Sequence, residues 1–220
     1  MSHLLEFDSI RLSFNGRVIL SDIYMRCETG KITGLLGRNG QGKSCLFNIV
    51  YGELEPEEKS VRFDKVRVDR AYMRPELLRF LPQFDFFPKS FSIGRVFDDF
   101  SLDYRELERR FPEFASKHRF PIGKLSGGEY RFLQTYVILK AASQFVILDE
   151  PFTHLMPLQI EKVIELIREE KEQKGLLITD HLYQHIISLS DHVYLLTDGK
   201  THPVKDLFAI EGLGYVAAPR

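Results

Sequence analysis

Residues 37–44 are the part of the sequence that most restricts the fold. They read Gly-Arg-Asn-Gly-Gln-Gly-Lys-Ser and fit the phosphate-binding loop pattern, in which a glycine and four variable residues precede Gly-Lys-Ser or Gly-Lys-Thr. Residues 31–36 before the loop are apolar and typical of a strand, and residues 45–51 after it have a helical pattern. Strand, glycine loop and helix are the order that this motif requires. The alternative, a flexible glycine turn in an ordinary sheet, explains this order less well.

The residue types of the loop indicate its chemistry. Glycines let backbone N–H groups approach phosphate oxygens, and the helix that begins near Lys43 adds its positive dipole end. We expect Lys43 to reach the β- and γ-phosphates and the Ser44 hydroxyl to bind Mg²⁺. Cys45 lies one residue past the loop and is expected to be a small buried residue, with thiol chemistry as the weaker alternative. The predicted nucleotide-binding residues of this segment are Gly37, Arg38, Asn39, Gly40, Gln41, Gly42, Lys43, Ser44 and Cys45.

Composition and charge argue against several classes of protein. The 220 residues carry a formal net charge of −1, so we expect no nucleic-acid partner and no polybasic membrane contact. The two cysteines, Cys27 and Cys45, form no metal-ligand pattern and indicate a cytosolic chain without disulfides. The first eight residues do not have the pattern of a signal peptide, and no apolar run approaches the ~20 residues that span a bilayer. A role at a membrane would need a separate spanning protein.

Two buried strands are predicted to bring acidic and imidazole groups to one edge of a sheet. Residues 145–148 are apolar and end at Asp149 and Glu150, and the apolar residues 176–178 lead to His181. α/β proteins place catalytic groups at the carboxyl ends of parallel strands, and the first such acid holds Mg²⁺ in phosphate-loop enzymes. A lone histidine is usually structural, but the predicted phosphate site nearby favours a catalytic role for His181.

A second glycine motif, Leu-Ser-Gly-Gly-Glu at residues 125–129, opens a helix that is predicted to run through Ala142. Ser126 is a good N-cap and Glu129 stands in the capping-box position, so the motif has a purely structural explanation. Two adjacent glycines at a helix entrance also make an anion site. The pattern by itself leaves both explanations open.

Residues 84–124 are predicted to form a small helical subdomain. A helical face runs from Tyr104 to Phe114, and Pro112 splits it between two segments. This stretch holds half of the chain's 18 phenylalanines. Either their rings fill the core of the subdomain, or some of them form an exposed docking surface, and the pattern leaves both open. The nine are Phe84, Phe86, Phe87, Phe91, Phe97, Phe100, Phe111, Phe114 and Phe120.

An antiparallel edge is predicted before residue 30. Residues 10–14 alternate between apolar and polar, Asn15-Gly16 is typical of a hairpin turn, and the returning strand is expected at residues 18–24. Phe14 is either a core residue or an aromatic platform for a base, and its spacing favours the core.

The remaining segments have weaker patterns. A short strand at residues 79–83 ends on Gln83, and a lone glutamine is usually a surface residue. Gly175 is expected to end the unit before the strand at 176–178. Residues 204–220 form a tail in which a helical piece is expected.

Together these motifs resemble those of the ATPase subunits of ATP-binding cassette (ABC) transporters. The phosphate loop, Gln83, residues 125–129, residues 145–150 and His181 follow one another in the family's order, and the resemblance extends from about Ile10 to Gly199. Leu-Ser-Gly-Gly-Glu followed by an apolar strand ending Leu-Asp-Glu-Pro is specific to this family. The Thr-Asp-His triplet is most similar to the ATPases of lipopolysaccharide export and branched-chain amino-acid import.

The resemblance implies an α/β fold in a single ABC ATPase domain, residues 1–220. Its P-loop NTPase core, a mostly parallel sheet with flanking helices, would carry an N-terminal antiparallel β subdomain and a small helical subdomain. The implied parts are the antiparallel β and phosphate-loop core at 1–83, the helical subdomain at 84–124, and the signature helix, acidic strand and rest of the core at 125–220.

The resemblance also assigns catalytic and nucleotide-binding roles to matching residues. Phe14 lies where the family stacks an aromatic ring on adenine, which argues against the core interpretation. Glu150 would polarise the attacking water, His181 would contact the γ-phosphate, and Lys43 completes the expected catalytic set.

Further roles concern the metal and a second subunit. Ser44, Gln83 and Asp149 are the implied Mg²⁺ ligands, and Gln83 would also sense the partner protein. ATP would be sandwiched in a head-to-tail dimer with a second copy or a paralogous subunit, whose site is completed by Ser126, Gly127 and Gly128.

The implied function is that of an ATP-binding, Mg²⁺-dependent ATPase that powers transport through a separate membrane subunit. ATP would close the dimer and hydrolysis would open it. The membrane subunit would dock on residues 84–120, which would hold the chain at the cytoplasmic face of the inner or plasma membrane. One alternative is a soluble, non-transport ABC ATPase, but such proteins usually carry two cassettes or a coiled-coil insertion. Another is an ATP-dependent dimerisation switch with low turnover.

Two positions depart from the family's pattern. Met156 stands where an aspartate usually links the two ATP sites, which favours the low-turnover alternative, whereas intact Glu150 and His181 oppose it. Val137 stands where an arginine is common in the helix after the signature motif.

Overall fold

The computed structural model describes residues 2–204. Within them the chain forms two β-sheets and six α-helices, with short 3₁₀ turns between some of them. The strands are β1 (Leu4–Phe14), β2 (Arg17–Leu20), β3 (Tyr24–Glu28), β4 (Ile32–Leu36), β5 (Glu58–Phe63), β6 (Val66–Arg67), β7 (Leu78–Leu81), β8 (Phe145–Asp149), β9 (Gly175–Thr179), β10 (His192–Thr197) and β11 (Lys200–Val204). The helices are α1 (Lys43–Tyr51), α2 (Ile93–Asp99), α3 (Tyr104–Arg110), α4 (Gly127–Lys140), α5 (Pro157–Lys171) and α6 (Tyr183–Leu189). The expected helical piece of the tail, at residues 205–220, lies outside the described residues.

The larger sheet carries the predicted functional groups along one edge. Its strand order is β11-β10-β4-β9-β8-β7, and all neighbours are parallel except β10 and β11. Strands β4, β8 and β9 are buried at every residue, because one apolar core with α1 and another with α4, α5 and α6 cover the two faces of the sheet. The carboxyl ends of β4, β8 and β9 lead directly to the phosphate loop, to Glu150 and to Asp180. The predicted α/β core with a mostly parallel sheet is confirmed.

The smaller, antiparallel sheet is built on the long strand β1. β1 pairs with β2, β3 and β5, and the turn at Asn15 and Gly16 has φ values of 49° and 77°, as a primed hairpin turn requires. The prediction of one returning strand at residues 18–24 is wrong. The strand is interrupted after Leu20 because the N–H groups of Ser21 and Asp22 donate to the Gly199 carbonyl oxygen instead of pairing with β1.

Two predicted element boundaries also differ from the structure. Gly175 begins β9 rather than ending the preceding unit, because it pairs with Phe145 of β8. Glycine is needed there, since a Cβ would lie 2.5 Å from the Phe145 ring. Helix α4 ends at Lys140, where the prediction extended it through Ala142. Its predicted N-terminus is confirmed, with Ser126 as N-cap and Glu129 closing the capping box.

The helical stretch between β7 and α4 packs most of its phenylalanines inward. Helix α3 ends at Arg110 and a 3₁₀ turn begins at Pro112, as the proline predicted. Four of the nine rings are buried, four are half-buried, and Phe84 alone among them is exposed, at 60%. Most of the rings therefore belong to the core, and only a few, with Phe84 the most exposed, are left for a docking surface.

Helix α4 is shared between this stretch and the parallel sheet. The ring of Phe132 packs against Phe111 and Phe114, with centroids 4.8 and 5.7 Å away, and Tyr136 stacks on Phe97. Val137, at the position where the family commonly has an arginine, is fully buried in the same core. No helix formed by residues 2–204 has the length and apolar character that a bilayer crossing needs.

Candidate active site

The phosphate loop has the backbone that its glycines predict. Gly40 and Gly42 have φ values of 80° and 100°, a region that side chains rarely adopt, and Gly42 is the N-cap of α1. A Cβ on Gly42 would lie 2.9 Å from Cγ2 of Ile19 on strand β2. The loop therefore fits between the parallel sheet and the antiparallel sheet only with glycine at this position.

The loop offers a set of donors that suits phosphate oxygens. The backbone N–H groups of Gly40, Gly42, Lys43 and Ser44 donate to no acceptor within residues 2–204. The Lys43 ammonium curls back over the loop and donates to the Gly37 carbonyl oxygen at 2.7 Å and to that of Arg38 at 3.2 Å. Burial lowers the pKa of Lys43, against the attraction of the nearby carboxylates. These donors form a positive cradle at the start of α1.

The other predicted residues of this segment differ in their exposure to solvent. Arg38, Asn39 and Gly40 are exposed at the tip of the loop, and Gln41 is half-buried. Cys45 is half-buried rather than buried, and burial raises the pKa of its thiol. A raised pKa keeps the thiol protonated, which argues against the alternative of thiol chemistry.

Asp149 ends β8 beside the phosphate loop and is 1% exposed. Burial and the neighbouring Glu150 raise the pKa of Asp149 to about 6, although a hydrogen bond from Ser44 and the charges of Lys43 and Arg131 lower it. No group of three His, Cys, Asp or Glu side chains within residues 2–204 could hold a metal ion unaided. A carboxylate joined to a hydroxyl nevertheless fits Mg²⁺, which takes few protein oxygens and completes its shell with phosphate and water.

Glu150 follows Asp149 with its carboxylate held by two side chains. Gln83, two residues beyond β7, donates its Nε2 to Glu150 Oε2 at 2.9 Å, and the Thr153 hydroxyl donates to the same oxygen at 3.3 Å. The Glu150 backbone has φ of 53°, a conformation unusual for a residue with a side chain. Glu150 is half-exposed, so its carboxylate can accept a hydrogen bond from a water molecule.

His181 follows β9 at the same edge of the sheet, where Asp149 and Thr179 are register partners. Its ring is exposed, and its Nδ1 lies 3.1 Å from Oδ1 of the buried Asp180. The Asp180 carboxylate also accepts the N–H groups of Phe152 and Leu182, at 3.0 and 2.9 Å. Asp180 thereby ties its loop to the segment after Glu150, with the imidazole beside its carboxylate.

Phe14 is exposed at the tip of the hairpin, with 48% of its surface accessible, so the core interpretation from spacing is wrong. The same hairpin reaches the phosphate loop through the contact between Ile19 of β2 and Gly42. An exposed ring on this hairpin is compatible with stacking on a base, which stays a prediction.

The signature residues do not join the phosphate loop within one chain. Ser126 contacts Glu129 through the capping box, and a Cβ on Gly128 would lie 2.9 Å from the His154 carbonyl oxygen. A Cβ on Gly127 would meet nothing within 4 Å. Among the residues that the structure describes, no hydrogen bond links these three to residues 37–45. They present an open helix N-terminus instead.

Sequence reasoning missed two residues of the site. Thr153 contacts the Glu150 carboxylate, and the buried Arg131 donates to the carbonyl oxygens of Pro82, Asp149 and Glu150. Thr153 lies only three residues beyond Glu150, which was its one local signal. Arg131 stands in an apolar helical pattern, where a lone arginine carries no signal for its partners.

Comparison with known proteins identifies the family. Residues 20–153, more than half of the chain, match the family model described as ABC transporter. The lipopolysaccharide export system ATP-binding protein LptB is 29% identical in Acidithiobacillus ferridurans, over 91% of this chain and 89% of the relative, and 28% identical in Escherichia coli K12, over 85% and 84%. The arabinose import ATP-binding protein AraG of Mannheimia succiniciproducens is 27% identical over 89% of this chain and 42% of the relative.

Solved structures give the same fold. An ATP-binding subunit of an ABC transporter superposes with a TM-score of 0.80 at 20% identity, covering 98% of this chain and 95% of that one. A bacterial Atm1-family ABC exporter with ATP bound gives 0.82 at 18% identity, covering 100% and 43%. With the phosphate loop, the acidic strand end and the signature motif in the family's order, this chain belongs to the ABC transporter family as an ATP-binding domain.

Proposed function

We propose that this chain hydrolyses ATP in a Mg²⁺-dependent reaction and thereby drives transport through a separate membrane subunit. The observation that carries the proposal is the convergence of Lys43, Asp149 and Glu150 on one edge of the parallel sheet. Beside them lies a loop in which four successive or near-successive N–H groups, those of Gly40, Gly42, Lys43 and Ser44, find no acceptor within residues 2–204. The names of relatives that export lipopolysaccharide and import arabinose support the transport role.

Each group has a distinct task in phosphoryl transfer to water. The loop N–H groups and Lys43 neutralise charge that develops on the transferred phosphoryl group. Glu150 accepts a hydrogen bond from the attacking water and orients it. His181, whose Nδ1 lies beside the Asp180 carboxylate, leaves Nε2 for the γ-phosphate. Mg²⁺, which would be held by Ser44, Asp149 and the amide oxygen of Gln83, supplies further positive charge beside the phosphates.

Steady-state phosphate release by the purified chain tests this assignment. We expect turnover with Mg-ATP that is lost with EDTA and that falls at least about 100-fold in Glu150→Gln, because the amide cannot accept a proton from water. ATP binding should persist in that variant. A wild-type turnover no higher than that of Glu150→Gln would instead favour a dimerisation switch with little hydrolysis.

We further propose that two copies sandwich ATP head to tail. The open face of Gly127 and the exposed N-terminus of α4 support this arrangement, because the N–H groups of Gly127 and Gly128 donate to no acceptor within residues 2–204. In size-exclusion chromatography, Glu150→Gln should form a dimer in Mg-ATP and a monomer without nucleotide. A variant that stays monomeric at saturating Mg-ATP contradicts the sandwich.

The membrane subunit is proposed to dock within residues 84–120 at the cytoplasmic face. A groove of about 210 Å³ supports this site, and it extends beyond that range to β7 and α1. Phe84 is its exposed ring, and the guanidinium of Arg79 lies 5.2 Å from the ring centroid of Phe100 at its base. Glu53 also lines the groove, and a mainly apolar groove with one cation and one carboxylate suits a short amphipathic helix of the partner.

A further inference from the structure

Arg131 lies in the second turn of α4 and is 4% exposed, although it carries a charge. Its guanidinium donates three hydrogen bonds to backbone carbonyl oxygens. Nη1 donates to Pro82 at 2.8 Å, and Nη2 donates to Asp149 at 2.6 Å and to Glu150 at 2.9 Å. Its Nε has no acceptor within residues 2–204. The side chain is therefore oriented by these three carbonyl groups.

The three carbonyl groups belong to the two strand ends that carry the proposed machinery. Pro82 directly precedes Gln83, and Asp149 directly precedes Glu150. Gln83 in turn donates to the Glu150 carboxylate. One planar guanidinium thus fixes the distance between the ends of β7 and β8 through their backbone carbonyl groups. The Gln83 amide joins the same two ends through side chains.

Arg131 also restrains the backbone of Glu150, which has a strained conformation. Glu150 has φ of 53°, which costs on the order of 1 kcal/mol or more for a residue with a side chain. The Glu150 N–H donates to the Thr179 carbonyl oxygen at 2.8 Å, and its carbonyl group accepts from Arg131. With both backbone groups held, the carboxylate keeps one direction. Without Arg131 one of the two restraints is lost.

A contribution to stability alone does not explain this residue. Arg131 forms no hydrogen bond to a carboxylate, and Asp149, Asp180, Asp85 and Glu150 attract it without direct contact. Burying a cation is unfavourable, and well-packed apolar side chains stabilise a core at least as well. The rigid, planar fork of an arginine is, however, well suited to fixing several acceptors at once.

We propose that Arg131 is a positioning residue for hydrolysis, which sets the backbone of Glu150 and Gln83 without touching ATP. This inference rests on the proposed role of Glu150 in hydrolysis. Arg131→Lys keeps the buried charge but cannot span three carbonyl groups, and Arg131→Gln removes the charge as well. We expect kcat to fall about tenfold in the first and by up to about 100-fold in the second, while the Kd for ATP changes less than about twofold.

Lys174→Met is the matched control. Lys174 is a second buried cation that donates to backbone carbonyl groups of the same helix region, those of Leu139 and Ala141, but at the far end of α4 from Glu150. We expect Lys174→Met to lower the thermal midpoint at least as much as Arg131→Lys and to leave kcat within about twofold of wild type. Equal kcat values for Arg131→Lys and Lys174→Met overturn the inference, as does a rise in the Kd for ATP that matches the loss of kcat.

A double-variant cycle with Glu150→Gln separates this inference from the proposed function. If Arg131 acts through Glu150, adding Arg131→Lys to Glu150→Gln lowers the residual hydrolysis no further, whereas additive losses contradict the inference. A wild type without turnover contradicts the proposed function itself. Wild-type turnover that needs Glu150 but not Arg131 contradicts only the inference. Arg131→Lys decides the question even where Arg131→Gln does not fold, because it retains the charge.

Discussion

Gln83 and Glu150, which are 67 residues apart in the chain, meet through a 2.9 Å hydrogen bond from the glutamine amide to the glutamate carboxylate. The bond joins the ends of the parallel strands β7 and β8. It gives the lone glutamine a role that no local pattern revealed. The same side chain is proposed to contact Mg²⁺ through its other amide atom, and in that role Gln83 would link the metal to the carboxylate that is proposed to orient the water.

Removing the Gln83 amide should slow hydrolysis with little effect on ATP binding. In Gln83→Ala the Glu150 carboxylate keeps only the weaker bond from Thr153, and we expect kcat to fall about tenfold, the value of one hydrogen bond to a charged group. Gln83→Glu places a second carboxylate beside the first and should cost more. Steady-state kinetics check both, with the exposed Gln173→Ala as control. Full kcat in Gln83→Ala contradicts the positioning role.

Replacing Asp149 should stabilise the fold while abolishing its activity. The pKa of Asp149 is about 6 in the folded chain and lies near 4 when unfolded, so the ionised carboxylate destabilises the fold at neutral pH. We expect Asp149→Asn to gain about 1 to 3 kcal/mol at pH 7.5 in EDTA without nucleotide. The gain should shrink as the pH falls below 6, where the folded wild type takes up its proton, and vanish near 4, where the unfolded chain is protonated as well.

Thermal unfolding at several pH values measures this difference, and Ser188→Ala on the exposed part of α6 serves as a control without pH dependence. An Asp149→Asn chain that is less stable than wild type at pH 7.5 contradicts the sign of the effect. Phosphate release by the same variant should be lost, because the amide holds Mg²⁺ less well than a carboxylate.

A residue of this site could be predicted from the sequence where the residues that determine its role are close to it in the chain. The phosphate loop was predictable because positive φ at Gly42 and the donors that follow it lie within eight residues. Arg131 was not, because its acceptors lie 18 to 49 residues away and any apolar helix tolerates one arginine. Phe14 was misassigned from spacing, because alternation gives the face of a strand but not whether other elements cover the end of a hairpin.

Ser126 should have two separable roles, as a helix cap and in the dimer. Ser126→Ala loses the N-cap and should cost about 1 kcal/mol, whereas Ser126→Asn retains a good cap and should stay within about 0.5 kcal/mol of wild type. Neither variant offers a serine hydroxyl to ATP on the opposite copy. In the Glu150→Gln background we therefore expect both to lose Mg-ATP-dependent dimerisation, as judged by chromatography. A Ser126→Asn chain that dimerises as well as its parent limits this residue to capping.

Replacement by serine should destabilise the fold far more at Phe87 than at Phe84. Phe84 is 60% exposed, so Phe84→Ser should change the free energy of unfolding by less than about 0.5 kcal/mol. Phe87 is buried, and its backbone N–H and carbonyl oxygen bond the Tyr130 hydroxyl, so Phe87→Ser should cost about 3 to 5 kcal/mol. Thermal unfolding checks both values. A docking test that replaces Phe86, Phe87 and Phe91 together would therefore measure loss of folding as well as loss of docking.

Docking is better tested with Phe84 alone. We expect Phe84→Ser to reduce the membrane subunit that co-purifies from native membranes about tenfold or more, because an exposed aromatic anchor contributes strongly to an interface. Met156→Ser, which removes an equally exposed apolar side chain at the start of α5, is the matched control and should leave co-purification unchanged. If Phe84→Ser retains the partner at the wild-type level while its ATPase activity is intact, the membrane subunit binds elsewhere on the surface.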